Sequence, residues 1–267
     1  MAWAREAAAC CGASLELLRV VDDTQAETNG HVREAEAYLR TQIEQMADCG
    51  VDVTTTVAVG EPGEQLVARA AEAGLTVMPY QTTRWTFGGA LDLLLKDMVN
   101  PVVVVRSSEG HPPARFEVSK ILVPIGGTAR SKAAIPYAID LGQTLGAQLV
   151  LCNVASPIPG AYDKRNPPPD IAQAIEEQVM EGEQIVLSVA TELSKQGIVA
   201  DSVIRIGEPA REIITAAREA GAGLIVMATR GTGSMSSMLA SVAMGVAQAS
   251  PVPTLLIRPP AAPPVSN

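Results

Sequence analysis

Aromatic residues are scarce: two Phe, two Trp and four Tyr make up 3% of the 267 residues. Any core must therefore be aliphatic, and a hydrophobic content of 47% is ample to build one. Basic charge is also short. Twenty Lys and Arg face 29 Asp and Glu, leaving a formal charge of −9. That deficit argues against a nucleic-acid partner, because a phosphate backbone is held by clustered cations. Apolar runs stay near strand length, well below the roughly 20 residues that cross a bilayer. The N-terminal MAWAREAAACCG carries charges inside its apolar stretch and does not read as a signal peptide. Together these absences predict a cytoplasmic protein with no membrane partner. The four cysteines (Cys10, Cys11, Cys49, Cys152) show no CxxC spacing. Cys10 and Cys11 are expected to be small core residues of a reduced protein, not metal ligands.

What the chain does have is an internal echo. GEPGEQLVARAAEAG (60–74) matches GEPAREIITAAREAG (207–221). GLTVMP (74–79) then matches GLIVMA (223–228), and NPVVVVR (100–106) matches VPTLLIR (252–258). Three blocks in one order, each copy of domain size, predict a duplicated unit. Residues 1–106 form the first copy, 107–118 a linker, 119–258 the second copy and 259–267 a disordered tail.

The second copy is complete. KILVPI (120–125), QLVLCNVA (148–155), VADSVIRIG (199–207), GLIVMA (223–228) and VPTLLIR (252–258) read as strands. Helices are expected over 131–145, 171–196, 209–220 and about 237–249. Gly207-Glu208-Pro209 and Gly60-Glu61-Pro62 each read as a turn, an acid near a helix N-terminus and a proline in its first turn. Strands alternating with helices predict α/β domains, each a doubly wound parallel sheet; in a 3-2-1-4-5 order the reversal lies between the first and fourth strands. Ligands bind such sheets where the strand order reverses, beyond the strand C-termini. Two Gly-rich turns fall there: Gly126-Gly127-Thr128, and Arg230-Gly231-Thr232-Gly233-Ser234.

The first copy begins late. MAWAREAAACCG aligns with the helix before QLVLCNVA, so the counterpart of KILVPI is missing. Omitting a central parallel strand leaves backbone groups without partners. The expectation is that the start lies upstream; otherwise the half closes up or borrows a strand.

ILVPIGGT, GEPAREII, VMATRGTG and ASVAMGVAQASPVPTLLIRP together resemble the universal stress protein superfamily, in its tandem two-domain form. The resemblance implies Rossmann-like domains, in which the last strands of the halves, 102–105 and 254–257, pair. One branch of that family binds adenine nucleotides through a G-x-x-G-(nine residues)-G-S/T loop. An Asp just after the first strand then faces adenine and ribose. Carried over, the resemblance implies a site of Pro124, Gly126, Gly127, Thr128, Val154, Met227, Arg230, Gly231, Gly233, Ser234, Ser241 and Val242, with ATP and Mg as candidate ligands. The chain departs from the pattern in three places. Ala228 replaces the first glycine, Ala240 replaces the last after a gap one residue short, and Gly126 replaces the Asp. In the first copy Pro79 and Thr82 stand at the loop glycines, so no site is expected there. No catalytic motif or metal cluster is present, and His31 and His111 belong to no triad-like arrangement. The expected function is a non-catalytic stress-response regulator, a homodimer or an intramolecular domain pair. The alternative is an interaction module of the same fold without nucleotide; a slow nucleotide hydrolase lacks any water-activating residue.

Overall fold

The computed structural model describes residues 2–22, 30–46, 50–80, 90–106, 116–156, 167–229 and 242–259. The chain divides into two compact units, residues 1–102 with 107–116, and residues 103–106 with 117–267.

In the second unit β5 (Lys120–Pro124), β6 (Gln148–Ala155), β7 (Ala200–Ile206), β8 (Leu224–Ala228) and β9 (Thr254–Ile257) lie in the order β9-β8-β5-β6-β7. This is a 3-2-1-4-5 arrangement, with the first and fourth strands adjacent. All four pairings among these strands are parallel. β4 (Val102–Arg106), whose residues 103–106 group with this unit, extends the sheet beside β9. The two last strands implied to pair are thus neighbours, and the Arg106 guanidinium donates to Ala249 O at 3.0 Å. Ile121, Leu122, Leu151, Ile225 and Leu256 are fully buried, as a parallel sheet covered on both faces requires.

The helices of this unit are α5 (Ala129–Lys132), α6 (Ile135–Leu145), α7 (Pro169–Lys195), α8 (Pro209–Ala220) and α9 (Val242–Ala249). Where the sequence predicts one helix over 131–145, two occur. Pro136 lies in the first turn of α6. Its ring has no N–H and would crowd the carbonyl four residues back in a continuous helix. Gly146, left-handed at φ 64°, ends α6, and Ala147 N donates to Gly142 O at 2.9 Å. The helix expected from about 237 is described only from Val242.

The first unit contains α1 (Ala2–Cys11), β1 (Leu15–Val21), α2 (Gly30–Glu44), β2 (Val53–Val59), α3 (Pro62–Glu72), β3 (Thr76–Tyr80) and α4 (Ala90–Asp97). β1 and β2 form a two-stranded parallel sheet over seven paired positions. Its inner face packs Leu17 against Leu39 and Met46, with Leu15, Ile43, Val53 and Val57 around them. Trp3 stacks edge-to-face on Phe116, ring centroids 5.1 Å apart. Cys10 and Cys11 are exposed, which corrects the expectation of core positions. The buried face of α1 is Trp3, Ala7 and Ala8, and the last turn runs past it. Cys152 alone among the described cysteines is buried. No helix among the described residues is long and apolar enough to cross a membrane.

Candidate functional site

β5 is hydrogen-bonded to β6 on one side and β8 on the other, so the sheet's order reverses at β5. The chain leaving its C-terminus turns at once. Ile125 N donates to Cys152 O at 2.8 Å, and Asn153 Nδ2 donates to Ile125 O at 2.8 Å. Asn153 is one of the few buried polar residues among those described in the unit, and it fixes the last residue before the turn. The turn is closed by Ser131. Its Oγ accepts from Gly126 N at 3.0 Å and lies 2.8 Å from both Gly126 O and Thr128 O. Thr128, in extended conformation, accepts from Ser131 N at 3.2 Å and caps α5.

Two other elements complete the rim. Gly207 takes φ 153°, a region that favours glycine, and its N–H donates to Ala155 O at 3.0 Å. Glu208 then caps α8, accepting from Ala210 N at 3.1 Å and Arg211 N at 2.8 Å. Opposite, β8 ends at Ala228, and Thr229 N donates to Ile257 O at 2.8 Å. No non-glycine among the described residues has positive φ. The backbone at Ala228 therefore needs no glycine, and the first loop substitution brings no strain.

Between these elements lies a cavity of about 340 Å³. Six of the expected site residues line it: Pro124, Gly126, Thr128, Val154, Met227 and Val242. Gly127 is exposed and lies instead against α7, where a Cβ would meet Ile185 at 3.4 Å. Arg230, Gly231, Gly233, Ser234 and Ser241, like Ala240, fall outside the described residues. In the first copy Pro79 is exposed in β3 and Thr82 is outside the described residues. Sequence reasoning missed Ile125, Arg130, Ser131, Cys152, Asn153 and Ile213, which also line the cavity. They come from the turn after β5, from α5, from β6 and from α8, and only the topology gathers them.

The walls are largely apolar, with Ile125, Val154, Ile213, Met227 and Ala243 facing the space. Among the described lining residues the one formal charge is Arg130, and no carboxylate is present. The Cys152 thiol is pushed up to about 12, chiefly by burial, with Arg205 lowering it and Glu212 raising it. It is a neutral thiol at physiological pH. An apolar slot with a few convergent polar groups at a switch point has the form of a small-molecule site in a doubly wound α/β protein.

That class narrows to a family. Residues 117–258 match the model of the universal stress protein family, and the chain belongs to it. It is 32% identical to universal stress protein YxiE of Bacillus subtilis over 148 residues, 52% of this chain and 99% of that protein. A Thermus aquaticus universal stress protein is 30% identical over 140 residues, covering 97% of its length. The fold likeness reaches further than the sequence match. A universal stress protein structure from Archaeoglobus fulgidus superposes with a TM-score of 0.70 over 96% of this chain and 89% of that one, at 19% identity.

Proposed function

We propose that the protein is a non-catalytic stress-response regulator whose second unit binds one adenine nucleotide. The observation that carries this reading is the cavity at the switch point, lined by six of the residues expected for a nucleotide. Its apolar walls suit a purine, and the turn at Gly126 faces the place the family resemblance gives to ribose. No carboxylate lines the described cavity, so a Mg ion entering with ATP is held by the phosphates rather than by these side chains. Two features support the absence of catalysis. The Ser131 hydroxyl is engaged within its own turn, and the Cys152 thiol is neutral. The nucleotide acts by favouring one conformation or assembly over another through differential affinity.

We further propose that the chain is a tandem pair, with residues 1–106 a universal-stress-like domain lacking its first strand, 107–118 the linker, 119–258 the complete domain and 259–267 a tail. The correspondence of turns between the units supports this. The exposed, unbridged Cys10 and Cys11 suit a reducing cytoplasm. One observation favours the alternative, an interaction module without nucleotide: Gly126 N already has its partner in Ser131. Calorimetric titration with ATP, ADP and AMP, with Mg and with EDTA, separates the two. Saturable heat supports the regulator; no heat and no thermal shift at millimolar ligand leave the interaction module.

A further inference from the structure

Where the resemblance leads one to expect a carboxylate, the turn after β5 has Gly126, and Arg130, four residues later, lines the same cavity. The missing side chain leaves real space. A Cβ on Gly126 would meet only Ser131 Oγ, at 3.8 Å. The consequence is a reversal of hydrogen-bonding character. A carboxylate is acceptor-only and pairs with the hydroxyls of a free ribose diol. A guanidinium is donor-only, and its planar fork matches a phosphate. The same exchange operates in dinucleotide-binding folds, where an acid holds the ribose 2′-hydroxyl and an arginine accommodates a 2′-phosphate. Resting on the nucleotide reading above, we propose that this cavity selects adenine nucleotides phosphorylated on the ribose 2′ or 3′ oxygen over those with a free diol.

Arg130 is exposed, so its side chain can be removed without opening the core. The Thr128 cap and the Ser131 hydrogen bonds that shape the turn do not use its guanidinium. The cavity's other described walls contribute no competing anion.

The test uses isomers. Adenosine 3′,5′-bisphosphate and adenosine 2′,5′-bisphosphate have the same atoms as ADP and differ only in where the second phosphate sits. Titration of the full chain in EDTA is expected to show at least one bisphosphate binding about tenfold or more tightly than ADP, the scale of a charge-assisted bidentate contact. Arg130→Ala should bring the isomers to within about twofold, and Gly126→Asp should turn the preference toward ADP. ADP binding as tightly as both isomers, or a preference that survives Arg130→Ala, overturns the proposal while leaving the nucleotide reading intact. If neither ADP nor its isomers bind, the nucleotide reading itself falls, and the selectivity with it.

Discussion

The two units solve the same local problems with the same residues, yet among the described residues the second alone has a strand hydrogen-bonded on both sides at its switch point. β1 pairs with β2 over seven positions, as β6 pairs with β7 over Leu149–Ala155. α1 ends at left-handed Gly12, and Ala13 N donates to Ala8 O at 2.9 Å; α6 ends at Gly146 with the matching bond, also 2.9 Å. Gly60 N donates to Val21 O, and Gly207 N to Ala155 O, both at 3.0 Å. Glu61 caps α3 as Glu208 caps α8. The units part at the strand between. In the second, β5 joins β6 to β8 and its turn borders the cavity. In the first, β1 has β2 as its strand partner among the described residues. The side chains at matching positions differ accordingly. Asn153 is buried and holds Ile125, whereas its counterpart Arg19 is exposed, its guanidinium 4.5 Å from the Tyr38 ring centre. Turn chemistry is local and recurs in both units; the switch-point cavity is bordered by the turn after β5.

The largest expected effect contrasts equivalent core leucines. Leu151 in β6 is fully buried inside a sheet with strands on both sides. Leu151→Ala should cost about 2–5 kcal/mol in the second unit's denaturant transition. Leu17→Ala in β1, 6% exposed, should cost distinctly less in the first. Equal losses would mean that the two sheets pack alike.

A swapped contact comes next. Gly63 in α3 faces Leu93 of α4, whereas in the second unit Ala210 of α8 faces Gly245 of α9, whose Cβ would lie 3.1 Å from that of Ala210. Each unit keeps one glycine at this helix crossing, on opposite partners. Gly63→Ala would drive its Cβ into Leu93 and should cost about 1–3 kcal/mol. Adding Leu93→Ala should recover part of that loss, read as a coupling energy in a double-mutant cycle. Simple additivity would reject the contact.

The strand-to-helix turns should respond alike. Gly60 and Gly207 have φ of 142° and 153°, so alanine at either should cost about 1–3 kcal/mol. A penalty in one unit alone would break the equivalence. The caps differ slightly. Glu208 accepts two amide bonds and Glu61 one at 2.8 Å. Glu208→Ala should therefore cost about 1 kcal/mol and Glu61→Ala less, both measurable as shifts in unfolding midpoint.

The cysteines give the mildest probe. Burial raises the Cys152 thiol from 9.0 to about 12. The folded state thus favours the protonated thiol, and its contribution to stability is present below about pH 9 and lost as pH rises toward 12. At neutral pH, Cys10 and Cys11 should alkylate well before Cys152 in the native protein, as mass spectrometry after brief iodoacetamide treatment would show. Prompt labelling of Cys152 would contradict its burial.

Much of the fold is legible in the sequence because the signals are local. Alternating apolar runs and helices predict a doubly wound parallel sheet, and Gly-Glu-Pro predicts both helix starts. The break before Ile135 is readable too, since Pro136 forbids a continuous helix, but the apolar spacing across 131–145 outweighs it. Cys10 and Cys11 mislead because composition says nothing of where a helix outruns the core it covers. The site is half legible. Gly126, Thr128 and Met227 sit in recognisable turn and strand-end motifs, while Asn153 looks like one more residue of an apolar strand. Arg130, in an unremarkable polar stretch, gives no signal of its place at the cavity.

The most direct test of the asymmetry is the stoichiometry of adenine-nucleotide binding to the full chain, measured by calorimetric titration at protein concentrations well above the dissociation constant. The account predicts saturation at one nucleotide per chain, held by the unit that contains β5. Two nucleotides per chain, or none at millimolar ligand, would contradict it.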